Sequence, residues 1–191
     1  MPKKIAIIDG HPDPDEKRLC HALADAYADS ATSAGHAVRR ITLAKTEIPF
    51  LRTRADWETG TPSPAIRDCQ EIVGWADHLV IIYPLWLGSM PALVKAFFEQ
   101  VFRPGFAIRV GSRAGWPGLL TGKSARIVVT MGMPAWVYRW YFLAHSLKSL
   151  ERNILRFSGI KPVRETLIGM VEAGGAPKWI EKLHALGRAG A

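Results

Sequence analysis

Residues Ala76–Arg103 read ADHLVIIYPLWLGSMPALVKAFFEQVFR, a buried strand followed by a loop and then by an amphipathic helix. The continuous apolar run Leu79–Tyr83 has the length of a strand that is covered on both faces. An apolar stripe at helical spacing follows, made of Leu93, Val94, Phe97, Phe98 and Val101. A strand that leads directly into a helix is the repeating unit of a parallel sheet. This stretch therefore predicts an α/β fold.

The same alternation of strand and helix patterns occurs five times along the chain. The predicted strands are Ile5–Asp9, Val38–Leu43, Leu79–Tyr83, Ala125–Met131 and Val163–Gly169. Besides the helix after the third strand, helices are predicted from Leu19 to Gly35 and over Ile66–Trp75, Trp136–Phe157 and Pro177–Leu186, whereas Lys45–Ala65 and Pro104–Leu120 look irregular. We expect one domain, residues 1–191, with a flavodoxin-like doubly wound five-stranded parallel sheet. Its expected strand order is 2-1-3-4-5, with helices on both faces.

Composition places the chain among ordinary globular proteins, with 191 residues, 48% hydrophobic and 22% charged. The most apolar stretch is interrupted by Pro84, Pro91 and Lys95, so no membrane span is expected. The N-terminus lacks the pattern of a secretory signal. Cys20 and Cys69 are interpreted as reduced thiols, which favours a cytoplasmic protein. The six histidines show no metal-binding spacing, and no metal site is expected.

Positive charge is concentrated in one part of the chain. The net charge is +8, and residues 103–164 contain eleven Lys or Arg residues and a single acid, Glu151. Such a span attracts anions. No nucleic-acid-binding motif accompanies it, so no nucleic-acid partner is expected. A phosphate-bearing dinucleotide, an anionic membrane surface and a simple solvated basic face all remain open.

The loops after the first, third and fourth strands are expected to meet, because ligands of doubly wound sheets bind beyond the carboxyl ends of the strands. The first loop, DGHPDPDEKR, precedes a helix whose N-terminal amides could bind a phosphate. His11, Lys17 and Arg18 could assist. Alternatively, the local carboxylates could simply cap the helix.

The second loop, residues 83–88, offers an apolar, amide-lined surface suited to a planar heterocycle such as a flavin ring. Trp86 and Leu87 could equally be core or interface residues. The third loop, residues 130–133, would complete the pocket. Beyond it, Tyr138 and His145 are the candidate proton donors, in an aromatic run that also suits a core or a subunit interface.

Three familiar motifs are absent or wrongly placed. The segment GLLTGKS at residues 118–124 has its glycines one residue too close for a P-loop, and it precedes a strand. No GxGxxG follows the first strand, and no GxSxG nucleophile motif occurs.

The segment ADHLVIIYPLWLGSMPALVKAFFEQVF resembles the flavin-loop signature of NAD(P)H:quinone oxidoreductases of the DT-diaphorase type, which are flavodoxin-like flavoproteins. GHPDPDEKRLCHALADAY is similar to their first loop and helix, and ILRFSGIKPV to the segment that enters their last strand. The resemblance implies flavin contacts in all three loops. The implied residues are His11, Lys17, Arg18 and Leu19 at the phosphate and ribityl chain, Pro84, Leu85, Trp86 and Leu87 along the isoalloxazine, and Thr130, Met131 and Gly132 at its far edge.

The resemblance also implies a homodimer and hydride transfer from NAD(P)H through the flavin to a quinone or similar acceptor. The chain is shorter at its C-terminus than the FAD-using members, so FMN is expected, with FAD as the alternative. Two other functions stay open. One is an ancillary, regulatory subunit of a potassium-efflux system. The other is a one-electron flavodoxin carrier, which the positive net charge disfavours because such carriers are expected to be acidic.

Overall fold

The computed structural model describes residues 1–109, 118–172 and 176–191. It contains a five-stranded sheet in the order β2-β1-β3-β4-β5, with every neighbouring pair parallel. The strands are β1 (Lys4–Asp9), β2 (Ala37–Thr42), β3 (His78–Pro84), β4 (Ser124–Thr130) and β5 (Val163–Ile168). The predicted fold class and strand order are therefore confirmed. Each predicted strand is also correct to within one residue at either end.

Helices connect the strands and cover both faces of the sheet. They are α1 (Leu19–Ser33), α2 (Arg54–Glu58), α3 (Pro64–Trp75), α4 (Ala92–Val101), α5 (Ala135–Trp140), α6 (His145–Ser149) and α7 (Ala176–Ala189). A 3₁₀ turn, Leu43–Lys45, and a π-helical turn, Leu150–Arg156, complete the list. One core packs α1 and α7 against the sheet, and a second core packs α3, α4 and the helices after β4 against the opposite face.

The central strand β3 has all seven of its residues buried, as the continuous apolar run predicts for a parallel strand covered on both sides. The edge strands β2 and β5 instead mix buried and exposed positions. Because one face of these edge strands is only partly covered, their sequences carry more polar residues.

Two local predictions were wrong. The predicted single helix Trp136–Phe157 is interrupted, because Leu143 and Ala144 adopt the left-handed conformation with φ of 55° and 47°. A local hydrogen bond from the Ala144 amide to the Tyr138 carbonyl, at 3.0 Å, closes this break, and Tyr138 itself is buried in the core. The predicted irregular segment Lys45–Ala65 contains α2, whose five residues are too few to show a hydrophobic period. A capping box between Thr53 and Asp56 opens that helix.

The fold brings the ends of β1, β3 and β4 to one edge of the sheet, which we call the carboxyl edge. In the part of the chain that the structure describes, no helix is long and apolar enough to cross a bilayer. The predicted irregular segment Pro104–Leu120 includes residues 110–117, which lie outside the described residues.

Candidate functional site

The first and second loops of the carboxyl edge approach each other over Gly10. The Gly10 amide donates to the Ile82 carbonyl at 2.7 Å. A Cβ at this position would lie 2.9 Å from that same oxygen and 3.0 Å from the Tyr83 Cβ. A side chain at position 10 would therefore push the loop after β1 away from β3.

The amino end of α1 is free to bind an anion. Its N-cap residue, Arg18, makes no side-chain cap hydrogen bond, and the first turn contains no acidic residue. Because helix N-terminal amides lack intrahelical partners and carry partial positive charge, this end suits a phosphate. Exposed Lys17 lies directly before it.

The carboxylates of the first loop do not cap α1, which answers the alternative raised by the sequence. Asp13 accepts a hydrogen bond from the Asp15 amide at 2.9 Å, and Asp15 accepts one from the Lys17 amide at 3.1 Å. Asp13 also forms an ion pair with Arg18 at 2.7 Å. These bonds order the loop, and an incoming anion would compete with Asp13 for Arg18.

His11 connects the first loop to the second. Its Nδ1 accepts a hydrogen bond from the Asp13 amide at 3.1 Å, so the ring proton of the neutral form lies on Nε2. Burial, and then the nearby His21, lower the pKa of His11, which favours this neutral form. The His11 ring meets the Trp86 ring edge-on, with 6.0 Å between centroids. His11 thus presents a hydrogen-bond donor between the two loops.

The second loop forms a tight turn that exposes apolar side chains. Trp86 and Ser89 exchange backbone hydrogen bonds of 2.8 and 2.9 Å. The two residues between them, Leu87 and Gly88, have φ of 47° and 77°, as in a type I′ turn. Trp86 is 48% exposed and Leu87 is fully exposed. Preceding them, Pro84 is buried and Leu85 half-buried.

The third loop is tied to the second and then opens to solvent. The Leu85 amide donates to the Thr130 carbonyl at 2.7 Å. Thr130 and Met131 are buried, and the Thr130 hydroxyl contacts the Cys20 thiol of α1 at 3.3 Å. Gly132 is exposed, and no heavy atom lies within 4 Å of where its Cβ would be. Gly132 therefore borders open space at the carboxyl edge.

The two predicted proton donors occupy different environments. Tyr138 is fully buried, and its hydroxyl lies 2.6 Å from the Ser146 hydroxyl and accepts from the Leu147 amide at 3.2 Å. That position makes Tyr138 part of the core that holds the break before α6. His145 is exposed, with Nδ1 3.0 Å from the Phe142 carbonyl. Of the two, only His145 can meet a ligand without rearrangement of the core.

Sequence reasoning missed a buried charge cluster at the end of β1. The Asp9 carboxylate is fully buried and contacts His21 Nδ1 at 2.6 Å and Arg40 Nη2 at 2.5 Å. Arg40 also pairs with Asp25. His21 Nε2 lies 2.9 Å from the Asp13 carbonyl. Both ring nitrogens of His21 face acceptors, an arrangement that favours the doubly protonated ring.

The pKa of His21 agrees with that geometry. Burial alone lowers it, but the hydrogen bonds to Asp9 and to the Asp13 carbonyl outweigh burial and raise the pKa above its usual value. Through the contact between His21 and the Asp13 carbonyl, the cluster anchors the first loop to α1 and to the end of β1. The sequence does show an acid, Asp9, at the end of an apolar strand, which is a signal of a buried charge. Its partners come from α1 and β2 and cannot be identified from the sequence.

Strained backbone and exposed apolar residues occur in the connections that follow β3, β4 and β5. The non-glycine residues described with positive φ are Leu87, Leu143, Ala144 and Met170, and each follows the end of β3, β4 or β5. Most of the exposed large apolar side chains lie in the same connections, namely Trp86, Leu87, Trp136, Trp140, Tyr141, Phe142, Leu143 and Met170. Strain and apolar exposure at one place are features of binding surfaces.

Elsewhere, an apolar cavity of about 330 Å³ lies beside the second half of α4, lined by residues that include Phe98, Phe102 and Ile154. It contains none of the predicted site residues. Among the described residues, no group of three or more His, Cys, Asp or Glu side chains could hold a metal ion.

Comparisons with known proteins agree with this geometry. A family model described as flavodoxin-like fold matches residues 3–186. An FMN-dependent NADH:quinone oxidoreductase of Nitratidesulfovibrio vulgaris is 27% identical over 176 residues, covering 80% of both chains. A potassium-efflux ancillary protein, KefG of Cronobacter sakazakii, is 43% identical, but over only 65 residues and 33% of each chain.

Among solved structures, the NAD(P)H:quinone oxidoreductase of Methanothermobacter marburgensis superposes with a TM-score of 0.85 at 20% identity, over 100% of both chains. At this identity the likeness concerns the fold alone. Against two further curated relatives, the chain spans only 57% and 46% of their length.

Proposed function

This protein belongs to the Flavodoxin_2 family of flavodoxin-like fold proteins, and on that premise we propose that it is an FMN-dependent NAD(P)H oxidoreductase of the quinone reductase type. The observation that carries the proposal is that two features suited to the two parts of FMN lie side by side at the carboxyl edge. An uncapped helix N-terminus suited to a phosphate lies beside an exposed, strained Trp-Leu turn suited to a flat apolar ring.

The residues present fit FMN. His11, Lys17, Arg18 and the first amides of α1, beginning at Leu19, would hold its phosphate and the start of the ribityl chain. The ring would lie along Pro84, Leu85, Trp86 and Leu87, with Thr130, Met131 and Gly132 at its far side. The open space at Gly132 and the exposed face of Trp86 support this assignment.

When bound, FMN would accept a hydride from NAD(P)H and pass it to a quinone-like acceptor. The chain supplies position and electrostatics. Trp86 and Leu87 would exclude water from one side of the ring. Neutral His11 would donate a hydrogen bond to the phosphate or the ribityl chain without repelling Arg18. His145, the exposed one of the two predicted proton donors, would supply a proton to the reduced acceptor.

Cofactor binding is the direct test. The purified protein, freed of any bound flavin, is titrated with FMN and with riboflavin while flavin fluorescence is followed. We expect saturable quenching by FMN and at least about tenfold weaker binding of riboflavin, because the phosphate contacts are lost. The FMN-loaded protein should then lose its visible flavin absorbance on addition of NADPH or NADH and regain it with a short-chain quinone. Absence of saturable FMN binding would refute the proposal.

His145 is tested separately by single-turnover kinetics. In the FMN-loaded His145→Gln variant, reoxidation of the flavin by a quinone should slow by about 10-fold or more, because proton donation is lost. His36→Gln changes a histidine outside the carboxyl edge and is the control. Equal rates for His145→Gln and the unmodified protein would remove His145 from the mechanism.

The finer parts of the proposal concern assembly and location. We propose a homodimer formed through the exposed aromatic residues after β4, and a cytoplasmic location for a chain with reduced thiols. FMN is preferred to FAD, and the basic residues would attract the phosphates of NADPH or NADH.

A second candidate function rests on the short KefG match. We retain a role as an ancillary subunit of a potassium-efflux system because the 65-residue match is 43% identical, higher than that of the oxidoreductase relative. A protein that binds no flavin but associates with such a transporter in detergent would favour this role. Turnover of NADPH with a quinone by the isolated protein would favour the first.

A further inference from the structure

A second candidate site lies at the opposite, amino edge of the sheet. A cavity of about 290 Å³ opens there between β3, β4 and β5 and the last turn of the chain. Its lining residues are Lys3, His78, Ser124, Ala125, Pro162, Arg164, Gly190 and Ala191. This volume is near the lower end for small-molecule pockets. None of the residues assigned to FMN takes part.

The strand register explains why polar groups collect here. His78 pairs with Ser124, and Arg126 pairs with Arg164. Since Ser124 and Arg126 are two residues apart on β4, all four side chains point to the same face of the sheet. Toward the carboxyl edge this face is the apolar core under α1 and α7. At the amino edge it is polar instead.

Two buried nitrogens on this face have no partner among the described residues. His78 is 3% exposed, and its Nδ1 lies 2.8 Å from the Ser124 hydroxyl, but its Nε2 has no hydrogen bond. Arg126 is 6% exposed and donates through Nη1 to the Thr166 hydroxyl at 2.9 Å, yet its Nε is also unpaired. Unpaired buried polar atoms are costly, so a bound group that pairs with these nitrogens would be stabilising.

The charged side chains at the cavity have one sign. Lys3 and Arg164 line it, Arg126 and His36 lie close to His78, and none of the described lining side chains is acidic. Burial, and then Lys3, Arg126, Arg164 and His36, lower the pKa of His78 to about 4. The neighbouring carboxylate of Asp77 accepts from the Lys4 amide at 2.9 Å. The Gly190 carbonyl accepts from the Lys3 amine at 2.7 Å, and a main-chain oxygen of Ala191, the last residue of the sequence, accepts from the Tyr27 hydroxyl at 3.4 Å.

We propose that this cavity binds a phosphate group, either as inorganic phosphate or carried by a small metabolite. Lys3, Arg164 and a His78 ring that takes up a proton on binding would supply the charge-assisted donors that an oxyanion requires, and Arg126 adds positive charge near His78. The anion must compete with the Gly190 carbonyl for Lys3. Its binding would link the start of β1, three strands and the end of α7. The inference does not depend on the proposed oxidoreductase activity.

Imidazole NMR separates this site from the cofactor loop, because each contains its own histidine. Flavin-free protein with ¹⁵N-labelled histidine is titrated at about pH 6.5 with sodium phosphate, at ionic strength kept constant with sodium chloride. We expect the His78 ring signals to shift saturably toward the protonated form. The His11 signals report any phosphate that binds at α1. In FMN-loaded protein the His78 signals should still respond to phosphate, whereas the His11 signals should not.

Charge-matched variants test the assignment. Arg164→Gln and Lys3→Gln should each weaken the His78 response by about fivefold or more, since each removes a cation of the site. Arg52→Gln removes one exposed positive charge elsewhere and should leave it unchanged. Glycerol phosphate, run in parallel, distinguishes a site that accepts a carried phosphate from one that accepts only the free ion.

The proposal is overturned if His78 does not respond to phosphate, or if only His11 responds. It is equally overturned if Arg52→Gln weakens the response as much as Arg164→Gln, because the effect would then be general screening. Failure of FMN to bind would leave this result unaffected, so the two proposals fail independently.

Discussion

At the level of single residues, His78 and His21 are two buried histidines whose neighbours shift their pKa values in opposite directions. His78 lies among cations, and its pKa falls to about 4, whereas Asp9 and the Asp13 carbonyl raise the pKa of His21. Because a group whose pKa changes on folding makes stability depend on pH, the two residues contribute with opposite sign.

His78 gives a prediction for acid stability. Its pKa is lower in the folded chain than in the unfolded one, so the unfolded state binds more protons between about pH 6.5 and 4. The contribution of His78 is therefore present above pH 6.5 and is lost as the pH falls toward 4. Urea unfolding in phosphate-free buffer should show this loss in the unmodified protein and a smaller one in His78→Gln. Parallel pH profiles for the two proteins would contradict the assignment.

Trp86 and Tyr138 are predicted to differ in what they support. Trp86→Ala should weaken FMN retention more than Tyr138→Phe does, because Trp86 is exposed at the proposed ring site and Tyr138 is buried. Tyr138→Phe should instead lower the free energy of unfolding by about 1–2 kcal/mol, since Ser146 and the Leu147 amide lose their partner. Fluorescence titration and urea unfolding measure the two effects. Equal FMN retention in both variants would contradict the pocket assignment.

At the level of elements, the Trp86–Ser89 turn holds Leu87 in a backbone conformation that a large apolar residue does not favour. Type I′ turns favour Asn-Gly, whereas this one has Leu-Gly, with Leu87 fully exposed at φ of 47°. A large apolar residue in this position loses stability and gains no packing within the chain. This exposed side chain is therefore free to contact a ligand or a partner subunit.

Leu87→Asn separates the two roles of the turn. The flavin-free variant should be more stable by about 0.5–1 kcal/mol, because Asn tolerates the left-handed conformation better. Its affinity for FMN should nevertheless fall. Gly88→Ala is the matched comparison and should lower stability by about 1 kcal/mol, since Gly88 has φ of 77°. Unchanged FMN affinity in Leu87→Asn would remove Leu87 from the site.

The elements were largely predictable because hydrophobic period and length specify them. The apolar run of β3 and the stripe of α4 could be located to within one or two residues. The break at Leu143 and Ala144 could not, because the sequence WYFLAH contains neither Gly nor Pro. The break is accompanied by hydrogen bonds from residues 144 and 147 to Tyr138, which lies in the core.

At the level of the whole molecule, the exposed aromatic residues after β4 predict self-association. Trp136, Trp140 and Tyr141 are each more than two-thirds exposed in the single chain, at 68%, 73% and 78%. Exposed apolar side chains in such number often mark an interface. The proposed homodimer would cover it and place it next to the carboxyl edge.

Sedimentation velocity tests the dimer with one substitution. Trp140→Glu should shift the protein from dimer to monomer, because it places a charge in the proposed apolar interface. Ala185→Glu introduces the same charge on the exposed side of α7 and should leave the dimer intact. A dimer that persists in Trp140→Glu, or an unmodified protein that is monomeric, would contradict the proposed surface.

The sequence by itself indicated the five strands, the three loops of the carboxyl edge and the resemblance to flavin-dependent oxidoreductases, because short-range periodicity and local motifs carry that information. The strand order followed from the fold class that five alternating units favour. Only the tertiary structure decided that Tyr138 is buried while His145 is exposed. It also joined Asp9 to His21 and Arg40, and gathered Lys3, His78, Arg126 and Arg164 at the amino edge. Those contacts join residues far apart in the chain, and their partners are fixed by strand register and helix packing, which no local pattern records.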